Sequence, residues 1–364
     1  MTRRTILRAA ALAGLLALPL PDRAPACTFH TALPEASLSE NIAASVEVIA
    51  ARPSAENPFA FETVAVLRGE ASGTAPPFMV DSVTRARLAR KPDEAVLFAR
   101  APDGAWTRLL ILDAVTHPVV DTLVSHADVW ATPAGAAERR DFFARLLAHR
   151  DAQIRRIALR ELDALPYEVL RGGTYPVTAA DLVRGLTDIN EQPFAPIRIL
   201  LLGLDDSDGA GQAIARRLAM MATLRMETNL GPWITAAIER DGPAGLAAIE
   251  QEYLAAPARL SDRQLDEIVR ALAVHRTGGD PALQAPIDTA LRTLAFARPD
   301  AAPAIARTFA TASDFSQVPL IREIAAARLF ASPQDLLVAA AYVAGAPRND
   351  GPGSDRDTRT EQSN

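Results

Sequence analysis

The spacing of apolar residues changes character once along this chain of 364 residues, and that change limits the folds open to it. Between about Cys27 and Trp130 the apolar residues come in short, β-branched runs separated by turn formers. From about Ala134 onward they recur at helical spacing. This pattern predicts an α+β chain of two domains, a small β domain over 27–131 and an all-helical domain over 132–345. An export segment at 1–26 and a disordered polar tail at 346–364 flank them.

The first region holds the strand runs Ser45 to Ala50, Phe59 to Leu67, Phe78 to Val80, Ala95 to Ala99 and Trp106 to Leu112. Between the last two, Pro102-Asp103-Gly104 specifies a hairpin turn, because glycine takes a positive φ at little cost. A small antiparallel sheet curled into a barrel is the economical expectation. The second region reads as paired helices from Glu138 to Val343, each too short to stand alone in water.

The first 26 residues read as an address. Arg3, Arg4 and Arg8 form a basic start, Ala9 to Leu20 is apolar, and Ala24 and Ala26 supply the small side chains that signal peptidase requires. The apolar run falls short of the roughly 20 residues of a membrane-spanning helix. Thr2-Arg3-Arg4-Thr5-Ile6-Leu7-Arg8 resembles the twin-arginine export motif. Cys27, the single cysteine, would begin the mature chain, where a bacterial lipoprotein carries its lipid, although Ala24-Pro25-Ala26 departs from the usual lipobox. One cysteine forms no intramolecular disulfide, so packing must supply the stability. The expected location is the periplasm, with a membrane contact only if Cys27 is lipidated.

Two further resemblances concern the folded part. A cysteine at the mature N-terminus, a helix over Leu38 to Ala44, a strand of the Val46-Glu47-Val48-Ile49 kind and a second ending in Val66-Leu67-Arg68-Gly69 resemble the netrin or tissue-inhibitor-of-metalloproteinase-like OB-fold domains of exported bacterial proteins. In the animal inhibitors the first cysteine chelates a protease zinc, which by position would fall on Cys27. The partner cysteines that hold that residue in place are missing from this sequence. Phe142 to Asp151 followed by Ile154 to Leu162 is similar to a HEAT repeat: an apolar helix, a turn bearing aspartate, and a second helix opening with an aliphatic-arginine pair. Ile197-Arg198 repeats that opening within the roughly 40–47 residues of one HEAT unit, and Ile321-Arg322 echoes it later. The resemblance implies a solenoid whose stacked repeats offer a long surface to a protein or peptide partner.

Chemistry is sparse. The five histidines His30, His117, His126, His149 and His275 form no zinc framework, and there is no phosphate loop, dinucleotide fingerprint or nucleophile elbow, so no cofactor is implied. Cys27 and His30 could share a soft metal, but a flexible N-terminus is the simpler reading. Asp113, His117, Asp121, His126 and Asp128 form the densest run of carboxylates and histidines. Their interleaved β-branched residues and Pro118 argue against a helix and for an interdomain segment. Asp205-Asp206-Ser207-Asp208-Gly209 looks like part of a calcium loop, yet in that register Leu204 and Ala215 fall where ligands belong, so a helix-connecting turn is expected. Arg155, Arg156, Arg198 and Arg322 either brace the repeat scaffold or line a surface for acidic partners, and Trp233 and Tyr253 either fill the core or anchor a groove. A formal charge of −6, more negative still without the first 26 residues, disfavours nucleic acid.

The sequence therefore points to an exported, non-catalytic binding or scaffold protein. Its rivals are an envelope hydrolase or metal-dependent enzyme, with His117, Asp121 and His126 meeting between the domains, and a structural lipoprotein anchored through Cys27.

Overall fold

The computed structural model describes residues 36–347. The export motif Arg3 and Arg4, the cleavage residues Ala24 and Ala26, Cys27, His30 and the tail from 348 onward lie outside the described residues. The chain divides into two compact units, Met1–Arg217 and Leu218–Asn364, and the change of apolar pattern near Thr132 falls inside the first.

In the first unit, helix α1 (Leu38–Ala43) opens on a capping box, in which Ser37 and Glu40 each accept from the other's backbone N–H. Strands β1 (Glu47–Pro53) and β2 (Phe61–Gly69), helix α2 (Ser82–Arg90), and strands β3 (Ala95–Arg100) and β4 (Trp106–Leu112) follow. All neighbouring strands are antiparallel, in the order β2-β1-β3-β4. The β3–β4 hairpin turns where the sequence predicts, with Gly104 at φ 88° and Ala101 N donating to the Ala105 carbonyl at 2.8 Å.

The sheet is open, which corrects the expected barrel. Among the described residues strands β2 and β4 remain edges. The third of the five predicted strands does not form: at Phe78 to Val80 the chain makes a plug, with Val80 N donating to the Phe59 carbonyl and Val80 buried against Ile49, Ala51, Phe61, Leu88, Val96 and Phe98. Phe78 stacks on Phe98 with ring centroids 5.4 Å apart. Asp81 then ends the plug by capping α2, accepting from the Thr84 N–H and hydroxyl. On the opposite face of β1 and β3, Val48, Ala50, Leu97 and Ala99 are buried as well. The central strands β1 and β3, covered on both faces, hide their apolar residues as a middle layer without the sheet closing on itself.

The stretch after β4 forms a helix, α3 (His117–Trp130), against the sequence expectation. Pro118 sits in its first turn, where the missing N–H has no partner to lose, and Val119, Val120, Leu123, Ala127 and Trp130 make one buried stripe. Helices α4 (Ala136–Leu146), α5 (Ala152–Asp163), α6 (Tyr167–Arg171), α7 (Ala179–Gly185) and α8 (Ala195–Gly203) follow, and the division between the units falls within α9 (Asp208–Leu224). Helix α1 packs on α3 and α5, α4 on α5, and α5 on α8.

The second unit is helical throughout its described residues. Helices α10 (Leu230–Asp241), α12 (Asp262–Gly278), α14 (Ala301–Thr311) and α16 (Pro333–Gly345) pack each on the next. Helices α11 (Pro243–Ile249), α13 (Gln284–Ala297) and α15 (Val318–Ala326) lie against their sequence neighbours, and α13 also touches α15. Gly245 lets α11 approach α10 closely, since a Cβ there would stand 2.5 Å from the Ala237 carbonyl oxygen. Ile234, Ile238, Ile268, Leu272, Ile305 and Phe309, on α10, α12 and α14, are all buried.

Candidate partner-binding surface

Three of the four arginines singled out in the helical region are committed to the scaffold. Asp151 caps α5 by accepting from Gln153 N and Ile154 N, and Arg155 reaches back to the His149 and Arg150 carbonyls at 2.8 and 2.9 Å. Glu191, in a short 3-10 turn before α8, accepts from Arg156 at 2.8 Å and from Arg198 at 2.6 Å. One carboxylate thus joins the openings of α5 and α8. Ile154, Ile197 and Ile321, which precede the paired arginines, are all buried. Arg322 on α15 is exposed.

Trp233 and Tyr253 belong to the core. Burial pushes the Tyr253 phenol up to about 12, with the Glu252 charge adding to the effect. Neither ring is placed to anchor a ligand at the surface. Among the described residues, the large apolar side chains that the second unit exposes are Met220 and Leu224 on α9, Phe296 on α13, and Leu336 and Leu337 on α16. Arg292 lies over the Phe296 ring at 5.0 Å and holds Glu323 with both terminal nitrogens.

The carboxylates and histidines between Asp113 and Asp128 are dispersed to separate partners. Asp113 precedes α3, accepts from Val115 N and Thr116 N at 3.0 Å, and faces Arg87 at 3.2 Å. Burial works to raise its pKa, but these N–H donors and Arg87 outweigh it and hold the carboxyl below its usual range. His117 and Asp121 meet on one exposed helix face at 3.4 Å. His126 turns away, toward Glu138 at 3.5 Å and the Thr122 carbonyl, and Asp128 pairs with Arg68 at 2.5 Å. Among the described residues no group of three His, Cys, Asp or Glu side chains is arranged to hold a metal ion. At the calcium-like stretch, Asp205 accepts from Ser207 N at 2.8 Å and the Ser207 hydroxyl accepts from Ala210 N, a turn leading into α9.

One fully enclosed polar group was invisible in the sequence. Glu161 on α5 is fully buried and accepts from Ser39 N at 2.8 Å, from the Ser39 hydroxyl, and from Arg139 Nε and Nη2 at 3.1 and 2.5 Å. Arg139 also donates to the Ser37 hydroxyl at 2.9 Å. The carboxylate is filled with donors from α1 and α4, so it acts as a clasp among three helices. Another buried polar contact lies in the second unit, where His275 Nε2 on α12 stands 2.9 Å from the Thr235 carbonyl of α10 and therefore donates to it. No protein family, curated protein or solved structure matches this chain.

Proposed function

We propose that this chain is an exported, non-catalytic binding or scaffold protein that holds a protein or peptide partner on the surface of its helical region. The observation that carries the reading is the succession α10, α12, α14 and α16, each packed on the one before, with α11, α13 and α15 between them in sequence. Helices packed in this alternating way create an extended surface rather than a single pocket, which suits an extended partner. The buried isoleucines at the three aliphatic-arginine openings support a HEAT-like solenoid as its architecture. The open sheet with its preceding helix is read as a reduced OB- or netrin-like module. Export, processing at Cys27 and a periplasmic location rest on the signal-like first 26 residues.

A photo-crosslinking amino acid placed at Arg322 or Leu337, with Val83 on α2 as the sheet-side control, tests this in the native host. Polypeptide crosslinks at the two helical positions and not at Val83 are expected, on a chain whose intact mass begins at Cys27. Crosslinks confined to Val83, none at any position, or an uncleaved chain would overturn the reading. A lipid-modified Cys27 would turn the soluble form into a tethered one.

A further inference from the structure

Among the described residues strand β2 is hydrogen-bonded to β1 on one side only, and no strand pairs with the backbone donors and acceptors of its other edge. Every side chain from Glu62 to Val66 is exposed, on both faces, with Val64 at 55% and Val66 at 40%. A β-branched edge of this kind is a template for another strand. The sequence of the strand says which one. Read about Ala65, the order Glu62-Thr63-Val64-Ala65-Val66-Leu67-Arg68 is complementary to itself in the antiparallel direction. Val64 would stand opposite Val66, and Glu62 opposite Arg68.

We propose that the outer edge of β2 pairs with β2 of a second copy, centred on Ala65, giving a twofold dimer whose two sheets join into one. The twofold axis makes each favourable pair occur twice, as an isologous interface requires. Cross-strand apolar and opposite-charge pairs are the stabilising units of such a ladder. Only this register matches the charges: sliding by one residue sets Glu62 against Leu67 or Gly69, neither of which carries a compensating charge. Arg68 is already held on one side by Asp128 at 2.5 Å and is partly exposed, so Glu62 of the second copy would supply its second carboxylate. Register shifts in the β1–β2 ladder twist β2, and the strand contributes only its own nine residues. The contact is therefore smaller than the roughly 800 Å² per partner of a standard stable interface, and the dimer forms in a concentration-dependent way.

The proposal is separate from the partner-binding reading and is tested on the purified full chain by sedimentation velocity over about a hundredfold range of concentration. A reversible monomer–dimer equilibrium is expected. Val64→Lys, which sets an ammonium on an already exposed position, should shift it to monomer without altering the circular dichroism spectrum. Glu62→Arg and Arg68→Glu should each weaken dimerisation roughly tenfold, for two symmetry-related pairs, and the double variant should restore it. Asp128→Asn, which removes the other partner of Arg68, should leave the dimer intact. A monomer at every concentration, a dimer indifferent to Val64→Lys, or charge reversals that the double variant fails to rescue would overturn the proposal.

Discussion

The sheet-bearing unit and the helical unit are held together by different kinds of contact. Around the sheet, buried carboxylates are clamped by arginines: Glu47 by Arg100 at 2.7 Å, Glu94 by Arg87 and by Lys91 at 3.0 Å, and Glu161 by Arg139. In the second unit most of the buried side chains are apolar, and many of them are small. On α14, Ala301, Ala302, Ala304, Ile305, Ala306 and Phe309 are all buried, nearly the whole circumference of the helix. Charge clamps fix distant segments in one geometry but fail when a proton or a partner is changed. Alanine packing brings helix axes close and fails when volume is changed.

The largest test of that contrast is Arg139→Met. It leaves Glu161 charged and buried without its cation, and loss of one partner of a buried pair costs roughly 3–5 kcal/mol. A urea titration followed by hydrogen exchange should show the loss in peptides of α1, α4 and α5 while α12 and α14 keep their protection. Adding Glu161→Leu should recover part of it, because the stranded charge is then gone.

Ala306→Leu probes the other unit. Inserting a larger side chain where none fits costs roughly 1–3 kcal/mol by overpacking. Here the protection should fall in α12, α14 and α16 and hold in the sheet, and an equal fall in both units would break the comparison.

Acid should separate the units next. Burial works to raise the Glu47 pKa, but the Ser72 N–H and Arg100 outweigh it; at Glu94 the Arg87 hydrogen bond is foremost, and both carboxyls are held below their ordinary value of 4.5. A carboxyl whose folded pKa is lowered stabilises the fold fully above its unfolded pKa, and that contribution is lost as pH falls through the lowered folded value. The sheet should therefore keep its stability down to about pH 4.5 and lose it progressively below, whereas the stack of α12, α14 and α16 changes less. Trp106 and Trp130 fluorescence in a Trp233→Phe background reads the first unit alone.

The smallest effect is expected from Arg322→Ala. An exposed side chain away from any clamp shifts stability by no more than about 0.5 kcal/mol. If the helical surface holds a partner, the same variant weakens that binding with the melting temperature unchanged, and a large loss of stability would place Arg322 in the scaffold beside Arg155 and Arg198.

Much of the secondary structure was legible because it rests on short-range rules. Strand β4 runs over the residues expected, Trp106–Leu112, and helix α14 (Ala301–Thr311) lies within the stretch expected to be helical, since alternation, the Asp103-Gly104 turn and helical periodicity are all local. The helix at His117–Trp130 was misread because β-branched residues and Pro118 were weighed above the apolar stripe, which packing rewards. Phe78 to Val80 looked like a strand because an apolar run carries no sign of whether a partner strand exists. The Glu161 clasp could not be seen, because its serine and arginine donors lie far apart along the chain and only the fold makes them neighbours.

The sequence by itself determined where most helices and strands form and where the hairpin turns, because propensity, periodicity and turn chemistry act over a few residues. Tertiary structure decided that the sheet stays open, that Arg155, Arg156 and Arg198 brace turns, that Trp233 and Tyr253 fill the core, and that β2 is left with a bare edge. Those outcomes depend on which surfaces meet across long stretches of chain, and burial, the force that selects them, has no direction along the sequence.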